Sequence, residues 1–269
     1  MALYTVGFLG AGRIGAPMVE RLLAAGHRVL LHVRRPGVRT RLGALGADLV
    51  GDPVDLATAD VVVSCLFDDT QLLAVAPPIV AALGVDAAFV SHTTGSPAVL
   101  DQLASGGTTV VDAPFSGDAD AVSAGRLTVF LGRHRRGPRR AERLRGHDRG
   151  HGPRGSALRV ELLNNLLFAG ISQLTVRAAE AGRALGIADD DLLAALAVAS
   201  GGSTAAHYIR DRGGPAAFAA AVAPVLRKDV DAAGTLAAAL DIDLAGLLAA
   251  ATDGPIDLHP IARTPEETS

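Results

Sequence analysis

Over roughly the first half of the chain, short apolar runs alternate with helical patterns. TVGFLG, HRVLLHV, DVVVSCL and AAFVSH read as strands, and TTVVDAPF as a further one. Between them, apolar positions recur three and four apart over 17–25, 37–45 and 72–83, which predicts helices. Strand and helix alternating at this spacing predict a parallel, doubly wound sheet. From residue 156 onward the strand signals vanish. Ala- and Leu-rich helical patterns follow over 156–186, 189–200, 215–239 and 243–251, broken at GIADDD, SGGS and DIDL. The fold class expected is therefore α/β, with an N-terminal α/β domain over 1–155 and an all-helical domain over 156–269. The tail DGPIDLHPIARTPEETS, Pro-rich and polar, is expected to fray.

Within the helical segment over 156–186, RVELLNN sets Glu161, Asn164 and Asn165 three and four residues apart on an otherwise greasy helix. That spacing puts them on one stripe, and polar groups on an apolar helix need partners. The segment 133–155 fits neither half. It holds nine arginines against two acids in 23 residues and has almost no apolar periodicity. A nucleic-acid patch, a solvated loop and a local reading-frame slip in a GC-rich gene are alternatives, and the slip is the reading we adopt. The patch lacks any aromatic residue to stack on bases. A slip or a loop would leave the sheet a strand short. His147 and His151 have a metal-ligand spacing, but the glycines around them argue against a helix and no metal is expected.

Composition narrows the class further. The chain has 269 residues, nearly half of them apolar, and a formal net charge of −3, so nothing draws it toward nucleic acid. No apolar run approaches the roughly 20 residues that span a bilayer, and the N-terminus lacks a signal-peptide pattern. A single cysteine, Cys65, fits a reducing cytoplasm, and its place at the end of VVVSCL reads as a small buried hydrophobe. Lys228 is the only lysine. Chemistry that requires a lysine has one candidate.

GFLGAGRIG follows the first strand and opens a helix. Gly10, Gly12 and Gly15, with Ala11, Arg13 and Ile14 between them, form the G-x-G-x-x-G fingerprint in its required context. The first glycine allows the tight turn and the second lets backbone approach a pyrophosphate. The third lets helix and strand pack closely, and the helix N-terminus favours an anion. An NAD enzyme would want an acid at the end of the second strand. None occurs over 21–47, and VRRP instead puts Arg34 and Arg35 where a ribose 2′-phosphate would lie. Guanidinium pairs phosphate bidentately, so the expected cofactor is NADP(H).

GFLGAGRIGAPMVERLL, VRRP, HTTGSP, DAPFSGDADAVSAGRLTVFLG, LLNN and LRKDV, in that order, resemble the β-hydroxyacid dehydrogenase family, which includes 3-hydroxyisobutyrate dehydrogenase and tartronate semialdehyde reductase. The resemblance implies a Rossmann domain, a helical domain that also makes a homodimer, and an active site between them. It implies that Thr94 touches the cofactor near the nicotinamide ribose and helps bind substrate, with Leu66 and Phe67 bordering through backbone. Ser116 and Gly117 would hold a substrate carboxylate, Asn165 would hydrogen-bond substrate, and Lys228 would reach cofactor or substrate. The family's catalytic lysine falls at Glu161, and the usual glycine after SG is Asp118. The C-terminal helices look shorter than the family's. A buried glutamate can exchange a proton as lysine does, but its charge repels a carboxylate and attracts an iminium. Imine reductases belong to the same superfamily. The function expected is hydride transfer between NADPH and a small carbonyl, hydroxy acid or imine. The alternative is a dinucleotide-binding pseudoenzyme.

Overall fold

A computed structural model describes residues 3–132 and 152–259. The chain divides into two compact units, Met1–Glu161 and Leu162–Ser269. The first is built on a parallel six-stranded sheet of order β3-β2-β1-β4-β5-β6. Its strands are β1 (Thr5–Leu9), β2 (Arg28–His32), β3 (Asp48–Leu49), β4 (Val61–Ser64), β5 (Ala88–Ser91) and β6 (Thr109–Asp112). The order reverses between β1 and β4, which opens a crevice at the carboxyl ends of those strands. Both faces are covered, and this is why the strands are continuous apolar runs rather than alternating ones. In β2, Val29 and Leu31 enter one core with Phe8, Val19 and Leu42. Leu30 turns to the other face, with Leu72, Ile79 and Phe89.

The crossover helices are α1 (Gly15–Ala24), α2 (Pro36–Ala44), α3 (Asp69–Ala82) and α4 (Pro97–Leu103). A short antiparallel pair, β7 (Phe115–Ser116) and β8 (Thr128–Val129), follows the sheet and encloses α5 (Ala119–Ser123). The pattern missed β3, which is two exposed residues with no apolar signature. It also missed α4, although Ser96 caps it and Pro97 sits at its first turn.

The long helix α6 (Ser156–Ala184) opens with a borrowed cap. The amides of Ala157 and Leu158 donate to Asp112 Oδ2 at 2.9 and 3.3 Å, so the carboxylate at the end of β6 satisfies donors that the helix itself cannot. Just upstream, Arg154 pairs with Asp101 at 2.8 Å. The arginine-rich stretch, the predicted missing strand, His147 and His151 lie outside the described residues, apart from 152–155.

The second unit packs the remainder of α6 with α7 (Asp189–Leu196), α8 (Thr204–Asp211), α9 (Pro215–Leu240) and α10 (Ala245–Thr252). Their shared core includes Leu166, Ile209, Phe218, Leu226 and Val230. The sequence pattern placed a break at SGGS but not the helix after it, which Ser203 caps by accepting from the Ala206 amide. The expectation of a frayed tail is corrected over 253–259. Ile256 and Leu258 are fully buried, and residues 260–269 lie outside the described part. The anchor is Gln173 on α6, whose amide donates to Ala251 O and Ile256 O and accepts from Ile256 N, at 2.7–2.9 Å. One buried side chain thus satisfies a carbonyl in the last turn of α10 and both backbone groups of Ile256, which periodicity cannot reveal.

Gln173→Ala should therefore leave three buried backbone groups unsatisfied and destabilise the protein by about 2–4 kcal/mol. Urea denaturation measures this, and a loss under about 1 kcal/mol would mean that the tail does not depend on Gln173.

Candidate active site

The glycine turn divides its work unequally. Gly10 has φ +87°, and a Cβ there would lie 2.7 Å from the Leu66 side chain and 2.8 Å from Cys65 O. A Cβ on Gly15 would lie 2.5 Å from Gly10 O. Both are required by the protein's own packing, where β1 passes β4 and α1 begins. Gly12 is different: a Cβ there would meet only Arg35 Nη2, 4.0 Å away. The packing does not demand this glycine, whereas a ligand backed against the turn would. The open cradle and the amino end of α1 fit a dinucleotide pyrophosphate.

Arg35 closes the other side of this cradle. Its Nη2 donates to Ala11 O at 3.2 Å, carrying a guanidinium from the end of β2 onto the turn. Ala11 is buried, while Arg13 and Arg34 are exposed. Cys65 packs into the core beside Gly15, and burial pushes its thiol up to about 12, so it is no nucleophile at neutral pH.

Two further loops meet at the same edge of the sheet. The β4–α3 loop carries Leu66 and the half-exposed Phe67, and Asp68 caps α3 by accepting from the Gln71 amide. Asp69 then accepts from the Ser96 amide at 2.7 Å, and a Cβ on Gly95 would overlap its carboxylate. The HTTGSP loop is thereby clamped to the β4–α3 loop, and half-buried Thr94 is fixed beside it. Asp69 and Gly95 did not stand out in the sequence, because a clamp between two loops has no periodic signature.

His92 follows β5. Its Nδ1 is bonded to Ala113 O, and its ring meets Phe115 edge-on at 5.8 Å. Burial lowers its pKa below the usual value, with the carbonyl acting the other way, so the ring is neutral with Nδ1 as donor. Next to Phe115 lie Ser116 and Gly117, the latter at φ +132°. Asp118, standing where the family resemblance expects glycine, caps α5 by accepting from the Ala121 amide at 2.9 Å. That departure is a local helix signal.

On α6, Glu161 is 2% exposed, one turn before Asn165. Of the polar stripe in the sequence, Glu161 is therefore shielded from water, while Asn164 and Asn165 are half-buried. In the second unit, Asn165 Nδ2 donates to Asp229 Oδ2 at 2.8 Å, and Asn164 Nδ2 donates to Asn165 Oδ1 at 3.1 Å. Lys228 Nζ pairs with Asp229 Oδ1 at 2.7 Å. Burial raises the Asp229 pKa, while Lys228 and then Asn165 pull it back. The structure thus joins Asn165 to Lys228 through Asp229, a residue sequence reasoning passed over. The signal was present: Asp229 lies three after Leu226, on the helix face that buries Leu226, Val230, Ala233 and Ala237.

Residues 5–144 match the model of the NAD binding domain of 6-phosphogluconate dehydrogenase. A probable 3-hydroxyisobutyrate dehydrogenase of Mycobacterium tuberculosis is 30% identical over 216 residues, which is 76% of this chain and 72% of the relative. Rat mitochondrial 3-hydroxyisobutyrate dehydrogenase is 28% identical, over 61% of this chain and 52% of its own length. Among solved structures, 3-hydroxyisobutyrate dehydrogenase of M. tuberculosis with L-serine superposes with a TM-score of 0.78 at 24% identity, covering 96% of this chain and 97% of the other. An imine reductase of Streptomyces aurantiacus superposes with a TM-score of 0.63 at 18% identity, covering 91% of each. At these identities the superpositions speak for the fold.

The glycine geometry separates folding from binding. Gly12→Ala should melt within about 1 kcal/mol of the unmutated protein but bind a dinucleotide at least tenfold more weakly, whereas Gly15→Ala should lose about 1–3 kcal/mol of stability. Thermal melting and fluorescence titration read the two effects. Unchanged affinity in Gly12→Ala would show that nothing binds against the turn.

Proposed function

The chain belongs to the β-hydroxyacid dehydrogenase family, whose members are NAD(P)-dependent oxidoreductases, and from that membership we propose an NADPH-dependent reductase acting on a small carbonyl or imine, or on the corresponding hydroxy acid or amine in reverse. The observation that carries the choice of cofactor is Arg35, held on the glycine turn in a stretch with no carboxylate to receive ribose hydroxyls. Arg34, exposed beside it, adds a second positive charge.

NADPH, when bound, supplies the hydride; the chain's own residues bind, orient and handle the proton. Gly10, Ala11, Gly12, Arg13, Ile14 and Gly15 hold the pyrophosphate. Leu66, Phe67 and Thr94, tied together through Asp69, border the nicotinamide end, and Ser116 and Gly117 offer donors to the substrate. Glu161 is the proposed proton donor and acceptor, Asn165 a substrate hydrogen bond, and Lys228 a contact to cofactor or substrate. A carboxylate in place of the family's lysine changes which substrates suit the site. Two like charges about 4 Å apart repel by about 4 kcal/mol at an effective dielectric near 20, so an ionised Glu161 disfavours carboxylate substrates and favours a cationic imine. The same substitution is what a pseudoenzyme would show, and substrate-dependent NADPH oxidation separates the two.

A homodimer through the helical unit is proposed as the working form. Leu163, Leu167 and Leu174 leave 45–66% of their surface exposed along α6, an apolar stripe that a second copy would cover. The proposed compartment is the cytoplasm. Among the described residues, no helix is long and apolar enough to cross a membrane.

NADPH should bind more tightly than NADH, and replacing Arg35 with serine should remove about 10- to 100-fold of that preference, the worth of a charge-assisted contact, with Arg34→Ser contributing less. Titration of both cofactors checks this; equal affinities in the unmutated protein overturn the NADPH reading.

Glu161→Gln keeps the shape but removes the titrating proton, and turnover on a panel of keto acids, aldehydes and cyclic imines should fall by about 10²-fold or more. Glu161→Lys should move the preference toward carboxylate substrates. Wild-type turnover in Glu161→Gln would make Glu161 a bystander.

A further inference from the structure

Asp229 is a charged side chain in the interior of the helical unit, with 3% of its side chain exposed. A lone carboxylate there would be costly, and such groups persist where they are paired. Its two oxygens are divided between two different helices. Oδ2 accepts from the Asn165 amide on α6, and Oδ1 forms an ion pair with the Lys228 ammonium from α9 itself. Asn164 fixes the other end of the Asn165 amide by donating to its oxygen. The Asn165 side chain therefore has both its nitrogen and its oxygen tied within the protein, in one orientation.

The effect on Lys228 is larger. Neighbouring residues on a helix point about 100° apart, so Lys228 does not face the core where Asp229 lies. Its Nζ nevertheless comes within 2.7 Å of the carboxylate, and a fifth of the side chain remains exposed. Ordering a lysine side chain costs rotamer entropy, and the ion pair with Asp229 meets part of that cost before a ligand binds. With it, the ammonium and the Asn165 amide are presented at a fixed separation before any ligand arrives. Pre-organisation of this kind is what hydride transfer needs from groups that do not themselves carry the hydride.

We infer that Asp229 is a positioning residue, whose buried carboxylate orients Lys228 and Asn165 as one unit for substrate. The inference rests on the oxidoreductase reading for its consequence in turnover but not for the interaction itself, and the two can be tested apart. Because Lys228 is the only lysine, labelling with ¹⁵N-lysine gives a single side-chain signal that needs no assignment. An anchored ammonium exchanges slowly enough with water to give a hydrogen–nitrogen cross-peak. That peak is expected in the unmutated full chain and should vanish in Asp229→Asn, with the fold verified by circular dichroism. In steady-state NADPH oxidation, Asp229→Asn should lower kcat by about 10- to 100-fold, with a smaller change in KM. Combined with Asn165→Ala it should cost little more than the worse single change.

A missing cross-peak in the unmutated chain, or a peak that survives Asp229→Asn, overturns the inference. So does a kcat within twofold of wild type, or losses that simply multiply in the double variant. If Asp229→Asn does not fold, the unmutated chain's cross-peak decides. If no substrate class is turned over, the oxidoreductase reading fails, and the labelled lysine still reports whether Asp229 holds it.

Discussion

The carboxylate of Asp112 is the interaction on which the arrangement of the first unit depends. It stands at the carboxyl end of β6, almost fully buried, and accepts the first amides of α6. Its backbone oxygen accepts from Gly132, where a side chain would run into the carboxylate. One residue thus fastens the chain on both flanks of 133–151. The consequence reaches well beyond a cap. Glu161 lies in the first turns of the helix that Asp112 starts, within the same unit, so its distance along the axis from the sheet's carboxyl edge follows from where that carboxylate sits.

The same economy recurs at the other acids of the site. Asp69 ties the loop carrying Leu66 and Phe67 to the loop carrying Thr94, Asp118 starts α5 behind Ser116 and Gly117, and Asp229 joins α6 to α9. Each uses a charge-assisted acceptor to fix backbone or side-chain donors that would otherwise be unsatisfied. None of these four is a residue to which family resemblance assigned a role, yet the groups that received roles are held by them. The glycine turn shows the complementary logic. Gly10 and Gly15 are demanded by packing within the protein, while Gly12 borders open space that the packing leaves unfilled.

Much of this was legible from residues alone. Five of the six sheet strands and the long helices declare themselves because burial on both faces, or along one stripe, imposes a period on the chain. The glycine turn and VRRP are readable for a related reason: their chemistry is carried by residue type at fixed local spacing, and β1, α1 and β2 follow one another directly. The break at SGGS was legible while α8 was not, since TAAHYIRD lacks the Ala- and Leu-rich run by which the equally short α7 and α10 stand out.

The sequence by itself determined the fold class, the dinucleotide turn, the absence of an acid after β2 and the presence of one lysine, all of which are local facts. Tertiary structure alone decided that Arg35 rather than Arg34 crosses to the turn, that the tail through Leu258 is packed by Gln173, and that Lys228 and Asn165 share Asp229. The physical reason is common to all three. A hydrogen bond between residues 24, 64 or 83 positions apart leaves no period and no spacing rule, because the loops and helices between them, and not the chain's local preferences, set which donor meets which acceptor.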